Sequence, residues 1–171
     1  MINISNISNK SPYIKFKCLY KEALAAEQSN IEAICISSFD HENKESNSRF
    51  VNLKYINDDE WIFFSNYSGP KAKEFDCCPN ISAVFFWHKT NTQIRMKAKI
   101  FKSSSEFSDT HFEQRDKGKN ILAITSKQSS KVDSYNNFLD LYEQASKKIL
   151  DTQKRPNYWG GYSFKPYYFE V

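Results

Sequence analysis

The sequence predicts a mostly β domain with flanking helices, folded as a small closed barrel. Three observations carry this. Six apolar, aromatic-rich runs are joined mostly by short turns, the pattern of an antiparallel sheet rather than of alternating βαβ units. One of them, TQIRMKAKIF (92–101), alternates strictly, with Ile94, Met96, Ala98 and Ile100 on one face and Gln93, Arg95, Lys97 and Lys99 on the other. A strand with one wet face alternates in this way. Aromatic residues make up 16% of the chain, including 14 Phe and 10 Tyr, which suits strands over a bulky core better than a coiled coil.

Taken in order, residues 1–11 (MINISNISNKS) are Asn- and Ser-rich and are expected to form a loose, flexible N-terminus. One domain is expected over 12–171. Phe16, Leu19, Tyr20, Ala23 and Leu24 follow helical spacing and predict a helix from Tyr13 to Gln28. Strands are expected over 32–39 (EAICISSF), 49–56 (RFVNLKYI), 60–66 (EWIFFSN), 81–88 (ISAVFFWH) and 92–101. Pro70 is suited to opening a helix, because its missing N–H would have no partner in a first turn. Ser103 and Glu106 are spaced as a capping box and predict a helix ending near Arg115. A further helix is expected from Ser134 to Asp151, with Phe138, Leu141, Tyr142, Ala145 and Ile149 on one stripe. The last strand lies in YWGGYSFKPYYFEV, entered through a paired-Gly bend.

The net charge of +4 permits phosphorylated ligands or nucleic acid without demanding either. Cys18, Cys35, Cys77 and Cys78 form no C-x-x-C pair and read as reduced thiols of a cytoplasmic protein. No apolar run has the length of a signal peptide or a bilayer span, so no membrane partner is expected.

The stretch FFSNYSGPKAKEF (63–75) poses the functional question. Lys71 and Lys73 fall at a helix N-terminus, where the dipole favours anions. Either a short exposed helix tolerates the repulsion, or an anion binds there to backbone N–H groups and Lys71. Catalytic signatures are missing: there is no Walker loop, no G-x-G-x-x-G, no H-E-x-x-H and no G-x-S-x-G. His41, His88 and His111 lack metal-ligand spacing, and no metal is expected. Arg49 with Lys54, Lys71, Gln93 and the SKQSS turn (126–130) remain, each weak alone.

Together and in order they are specific. The chain resembles the pyridoxamine 5′-phosphate oxidase family, the FMN-binding split barrels. The family's R-x-V-L-L-K strand is present as RFVNLK, and its F-x-T-N-x-x-S-R-K turn as FFSNYSGPK. Its N-P…F-x-W-H…R-Q-V hairpin is CPNISAVFFWHKTNTQI, its S-x-Q-S turn is SKQSS, and its P-x-F-W-G-G approach to the last strand is RPNYWGG. The match runs from about Tyr13 to Val171.

The resemblance implies a homodimer with FMN at the interface and a small-molecule substrate that is phosphorylated or otherwise anionic. It implies that Arg49 and Lys71 grip the FMN phosphate, with Val51, Phe64 and Ser65 lining the same site. Gln93 would meet the isoalloxazine edge, and Gln128 and Ser129 would reach the cofactor from the partner subunit. Lys54 would lie between flavin and substrate, and His111, Arg115 and Lys119 occupy the substrate-phosphate positions. Several residues depart from the family. Pro70 replaces an Arg beside the phosphate, Thr92 replaces another before Gln93, and Asn52 stands at an aliphatic position. His111 and Lys119 replace Tyr and Ser. The family's closing R-L-H-D-R segment has no counterpart before Val171, so no catalytic residue is assigned.

Three functions follow, in descending rank. The first is an FMN-dependent oxidase that takes hydride from an amine- or alcohol-bearing carbon and is reoxidised by oxygen. The second is an FMN-binding reductase or carrier without pyridoxamine 5′-phosphate oxidase activity. The third is a nucleic-acid-binding barrel suggested by the basic strand 93–99; no nucleic-acid partner is expected under the first two.

Overall fold

The computed structural model describes residues 1–125, 134–148 and 154–171. Its strands are β1 (Asn3–Ile7), β2 (Ala33–Asp40), β3 (Glu45–Asp58), β4 (Glu60–Asn66), β5 (Asn80–Trp87), β6 (Thr92–Lys102) and β7 (Trp159–Glu170). The sheet runs β1-β3-β2-β5-β6-β7-β4, and an added β3–β4 pairing closes six of the strands into a ring. Every pairing within that ring is antiparallel. The helices are α1 (Ser11–Ala25), α2 (Pro70–Cys77), α3 (Ser105–Gln114), α4 (Lys117–Thr125) and α5 (Tyr135–Lys148). The closed barrel with helices at its margins is the architecture the sequence predicts.

The barrel interior is aromatic. Trp61, Phe63, Phe85, Trp87 and Phe164 are fully buried, and α1 lays Phe16 among them, 4.5 Å from Trp61 between ring centroids. Truncating such a ring to Ala costs about 3–5 kcal/mol. On β6 the expected alternation holds, with Ile94, Met96, Ala98 and Ile100 buried between exposed Gln93, Arg95, Lys97 and Lys99.

The structure differs from the sequence-based expectation in five places. Residues 3–7, expected to be loose, form β1 and pair in parallel with β3, Ile4 opposite Ile56. Ile2 is buried beside them and donates its N–H to the Tyr20 hydroxyl at 2.9 Å, so a few Ile side chains anchor an otherwise polar segment. Leu24 is exposed, and Tyr13 takes its place on the buried stripe of α1. The cap of α3 is Ser104, whose side chain accepts from the Phe107 N–H; Ser103 instead bonds Ser163 at 2.7 Å between hydroxyl oxygens. α4 was not expected at all. The glycine pair does not bend the chain: Gly160 and Gly161 lie within β7, opposite Ser65 and Phe64. A Cβ on Gly160 would fall 2.2 Å from the Tyr67 hydroxyl. Close approach of that ring is what excludes a side chain.

Candidate functional site

β3, β4, α2, α3 and the start of β7 enclose a cavity of about 600 Å³, within the usual range of small-molecule sites. Arg49, Val51 and Lys54 enter from β3, Phe64 and Ser65 from β4, Lys71 and Glu74 from α2, His111 and Arg115 from α3 and the residue that ends it, and Trp159 from β7. Eight of the sequence-predicted site residues thus line one cavity: Arg49, Val51, Lys54, Phe64, Ser65, Lys71, His111 and Arg115.

The α2 end is built as the sequence suggests. Gly69 precedes the helix with no side-chain cap, Pro70 opens it, and no acidic residue occupies its first turn. Lys71 is only 8% exposed and donates from Nζ to Ser65 Oγ at 3.1 Å. Burial, followed by the nearby Arg49 charge, pushes its ammonium pKa down, while Glu74 opposes the shift. Lys73 is exposed, so the two lysines of the opening stretch divide between cavity and solvent. Arg49 Nη2 pairs with Glu74 Oε2 at 2.9 Å.

The opposite end is aromatic. The His111 ring stacks on Phe64, 3.7 Å between centroids, and its Nδ1 lies 2.9 Å from the Tyr55 hydroxyl. Burial, with smaller contributions from Arg115 and Lys54, lowers the His111 pKa to about 4, so the ring is neutral at pH 7. Arg115 lies over the Trp159 ring at 4.9 Å and donates from Nη1 to the Lys119 carbonyl at 2.7 Å. Lys54 Nζ is 3.8 Å from Glu32 Oε1.

Two of the expected residues stand apart. Gln93 is exposed on β6 opposite Phe86 and does not line the cavity. Lys119 is exposed and contributes a backbone carbonyl to Arg115 rather than a charge to the cavity. Gln128 and Ser129 lie outside the described residues. Six lining residues were not among the expected site residues: Asn47, Phe50, Asn52, Pro70, Glu74 and Trp159, of which Asn52 and Pro70 were noted only as departures from the family pattern. Trp159 falls inside the RPNYWGG motif. Glu74 had a signal of its own, a charge three residues after Lys71 and so on the same helix face. Among the described residues no cluster of His, Cys, Asp or Glu is placed to hold a metal, and no helix is long and apolar enough to cross a membrane.

No protein-family model matches the chain. It is 33% identical over 156 residues to the pyridoxine/pyridoxamine 5′-phosphate oxidase of Burkholderia lata, an alignment covering 91% of this chain and 72% of that one. The chain belongs to the pyridoxine/pyridoxamine 5′-phosphate oxidase family. This is a family of FMN-dependent oxidoreductases, and FMN is its cofactor. The chloroplastic family member of Arabidopsis thaliana is 32% identical over 161 residues, and there the chain spans 30% of the relative's length. Among solved structures, PhzG from Burkholderia lata in complex with tetrahydrophenazine-1-carboxylic acid superposes with a TM-score of 0.84 at 18% identity, covering 92% of this chain and 77% of that one. A pyridoxamine 5′-phosphate oxidase-related, FMN-binding protein from Nostoc punctiforme gives 0.72 at 10% identity, covering 92% and 82%. The fold is that of the split barrel.

The donor set suits FMN. The cavity is lined by four cations, Arg49, Lys54, Lys71 and Arg115, against the single carboxylate of Glu74. An excess of partly desolvated positive charge is what a phosphate dianion requires.

Proposed function

We propose that this chain is an FMN-dependent oxidase acting on a small anionic substrate that carries an amine or alcohol. The observation that supports it is the convergence of Arg49, buried Lys71 and Ser65 at the α2 end of one cavity. Arg49 and Lys71 would grip the FMN phosphate by charge-assisted hydrogen bonds, with Ser65 holding the Lys71 ammonium in place. Val51 and Phe64 would form the wall against the ring system. FMN, when bound, supplies the redox chemistry, accepting hydride from the substrate carbon and passing two electrons to oxygen to give hydrogen peroxide. Arg115, fixed on Trp159, would hold the substrate anion, and Lys54 would lie between the two ligands.

Pyridoxamine 5′-phosphate is expected to be turned over slowly. Where the family has a Tyr, this site offers a neutral imidazole already bonded to Tyr55. Lys119 offers no side chain to the cavity, so Arg115 stands as the main cation for a substrate phosphate. Exposed Gln93, off its own cavity, fits a homodimer in which it reaches the cofactor of the partner subunit, together with Gln128 and Ser129. A cytoplasmic location accords with four free cysteines.

The test is a titration of purified protein with FMN and riboflavin, followed by a steady-state assay of peroxide release on pyridoxamine 5′-phosphate. FMN should bind much more tightly than riboflavin, and the dimer should be visible by light scattering. Equal affinity for both flavins would falsify the assignment of the phosphate site. FMN binding with no flavin reduction by any amine or alcohol tested would favour the second reading, an FMN-binding reductase or carrier.

A further inference from the structure

Glu74 is out of place for an anion site. It lines the cavity, is 5% exposed, and carries the same sign of charge as the ligand the cavity suits. Coulomb repulsion alone would make it a defect.

Its hydrogen bonds give it a role. Glu74 Oε2 accepts from Arg49 Nη2 at 2.9 Å and also from the Ser38 hydroxyl. Ser38 Oγ in turn accepts from Arg49 Nη1. Arg49, Ser38 and Glu74 therefore close a three-membered ring of hydrogen bonds around the guanidinium. Glu74 Oε1 accepts from Asn47 Nδ2 at 3.0 Å, and Asn47 is the cross-strand partner of Ser38. The network joins β2, β3 and α2. A guanidinium has five N–H donors, and these contacts take two of them, leaving three for an anion. An Arg side chain otherwise loses much rotamer freedom when a ligand orders it.

We propose that Glu74 is a positioning residue for phosphate recognition: it fixes the Arg49 guanidinium in the plane from which it meets the FMN phosphate. The inference rests on the reading that FMN binds in this cavity. Glu74 adds a second effect in the same direction, since its charge opposes the loss of the Lys71 proton.

The two accounts of Glu74 differ in sign. If it only repels the ligand, Glu74→Gln tightens FMN. If it positions Arg49, Glu74→Gln weakens FMN and leaves riboflavin, which has no phosphate, unaffected. Flavin fluorescence quenching on the full chain measures both dissociation constants. The expected result is a rise of tenfold or more in Kd for FMN, with riboflavin changed less than twofold. Ser38→Ala, which breaks the ring while keeping both charges, should raise Kd for FMN about threefold with the same selectivity. It decides the matter should Glu74→Gln not fold. Tighter or unchanged FMN binding, or equal losses for both flavins, overturns the role of Glu74. A wild-type protein that does not prefer FMN to riboflavin instead overturns the reading beneath it, and the inference falls with it.

Discussion

The two ends of the cavity meet charge differently. At the α2 end, Arg49 and Lys71 are held by side-chain partners, Glu74, Ser38 and Ser65, so their positions are set before any ligand arrives. At the α3 end the surface is flat and aromatic: Phe64, His111 and Trp159 lie within 14° of parallel to one another. There the nearest cation, Arg115, rests on the Trp159 ring, the Lys119 carbonyl and, at 3.3 Å, the Asn120 side-chain oxygen, with no opposite charge among the described residues of the cavity wall to hold it. Preorganised charge favours one anion of fixed geometry, whereas stacked rings with one cation accept a range of planar anions. Under the proposed function, the end with fixed charges would hold the resident cofactor, and the aromatic end would be where substrate choice has room to change.

The largest effect should come from breaking the fixed end. Arg49→Ala leaves Glu74 buried without its cation, and losing one member of such a pair costs about 3 kcal/mol of stability. Urea unfolding should show this together with loss of FMN binding. A variant as stable as wild type would mean that Glu74 finds other partners and that this end is not rigid. Next, Lys71→Ala should weaken FMN by about 1.5–3 kcal/mol, the range for hydrogen bonds to charged groups, and spare riboflavin. At the aromatic end, Arg115→Ala should change FMN affinity by less than about 0.5 kcal/mol. It should also abolish the change in flavin absorbance that phosphate or pyridoxal 5′-phosphate produces in wild type. If Lys71→Ala abolishes that change while FMN stays bound, the roles of the two ends are reversed.

The last effect, modest in size, concerns pH. His111 titrates near 4 when folded, against an ordinary value of 6.5. Between those values the unfolded chain takes up the proton and the folded chain does not. The stability tied to this ring is therefore whole above about pH 6.5 and is lost as pH falls toward 4. Discounted for the part of the ring that faces solvent, the loss is about 1–2 kcal/mol. His111→Phe should remove that portion of the acid slope in melting temperature. An unchanged slope would show that the imidazole is hydrated and that this end is wetter than its stacking implies.

The legibility of the fold and the site in the sequence divides along physical lines. Strands with one wet face announce themselves through period-two alternation, which is why β6 was readable residue by residue. β1 was hidden because only Ile2, Ile4 and Ile7 distinguish it from a polar tail, and its parallel pairing with β3 is set by tertiary contact. The α2 end was legible because a Pro–Lys turn after an apolar strand has a mechanism of its own. Glu74 was not, since the partners that give it meaning, Ser38 and Asn47, come from strands 36 and 27 residues away in sequence. For Gln93, motif order suggested a cofactor contact, but its exposed place on β6, away from the cavity, is set by the barrel register, which the motif does not encode.

β7 comes last among the strands in sequence yet lies between β6 and β4 in the barrel. Its Gly160 and Gly161 hydrogen-bond along the edge of β4 that carries Ser65 and Phe64, and the Tyr67 hydroxyl reaches the Gly161 carbonyl across 94 residues. While the chain is being synthesised, that edge has no neighbour until residue 161 has emerged, so the cavity lacks its supporting strand until then. Closures over such separations are slow relative to local structure. Under the proposed function, cofactor loading would therefore be an event of the completed barrel. In refolding experiments, the amides of β4 should gain exchange protection together with those of β7, and flavin fluorescence should quench no earlier than they do.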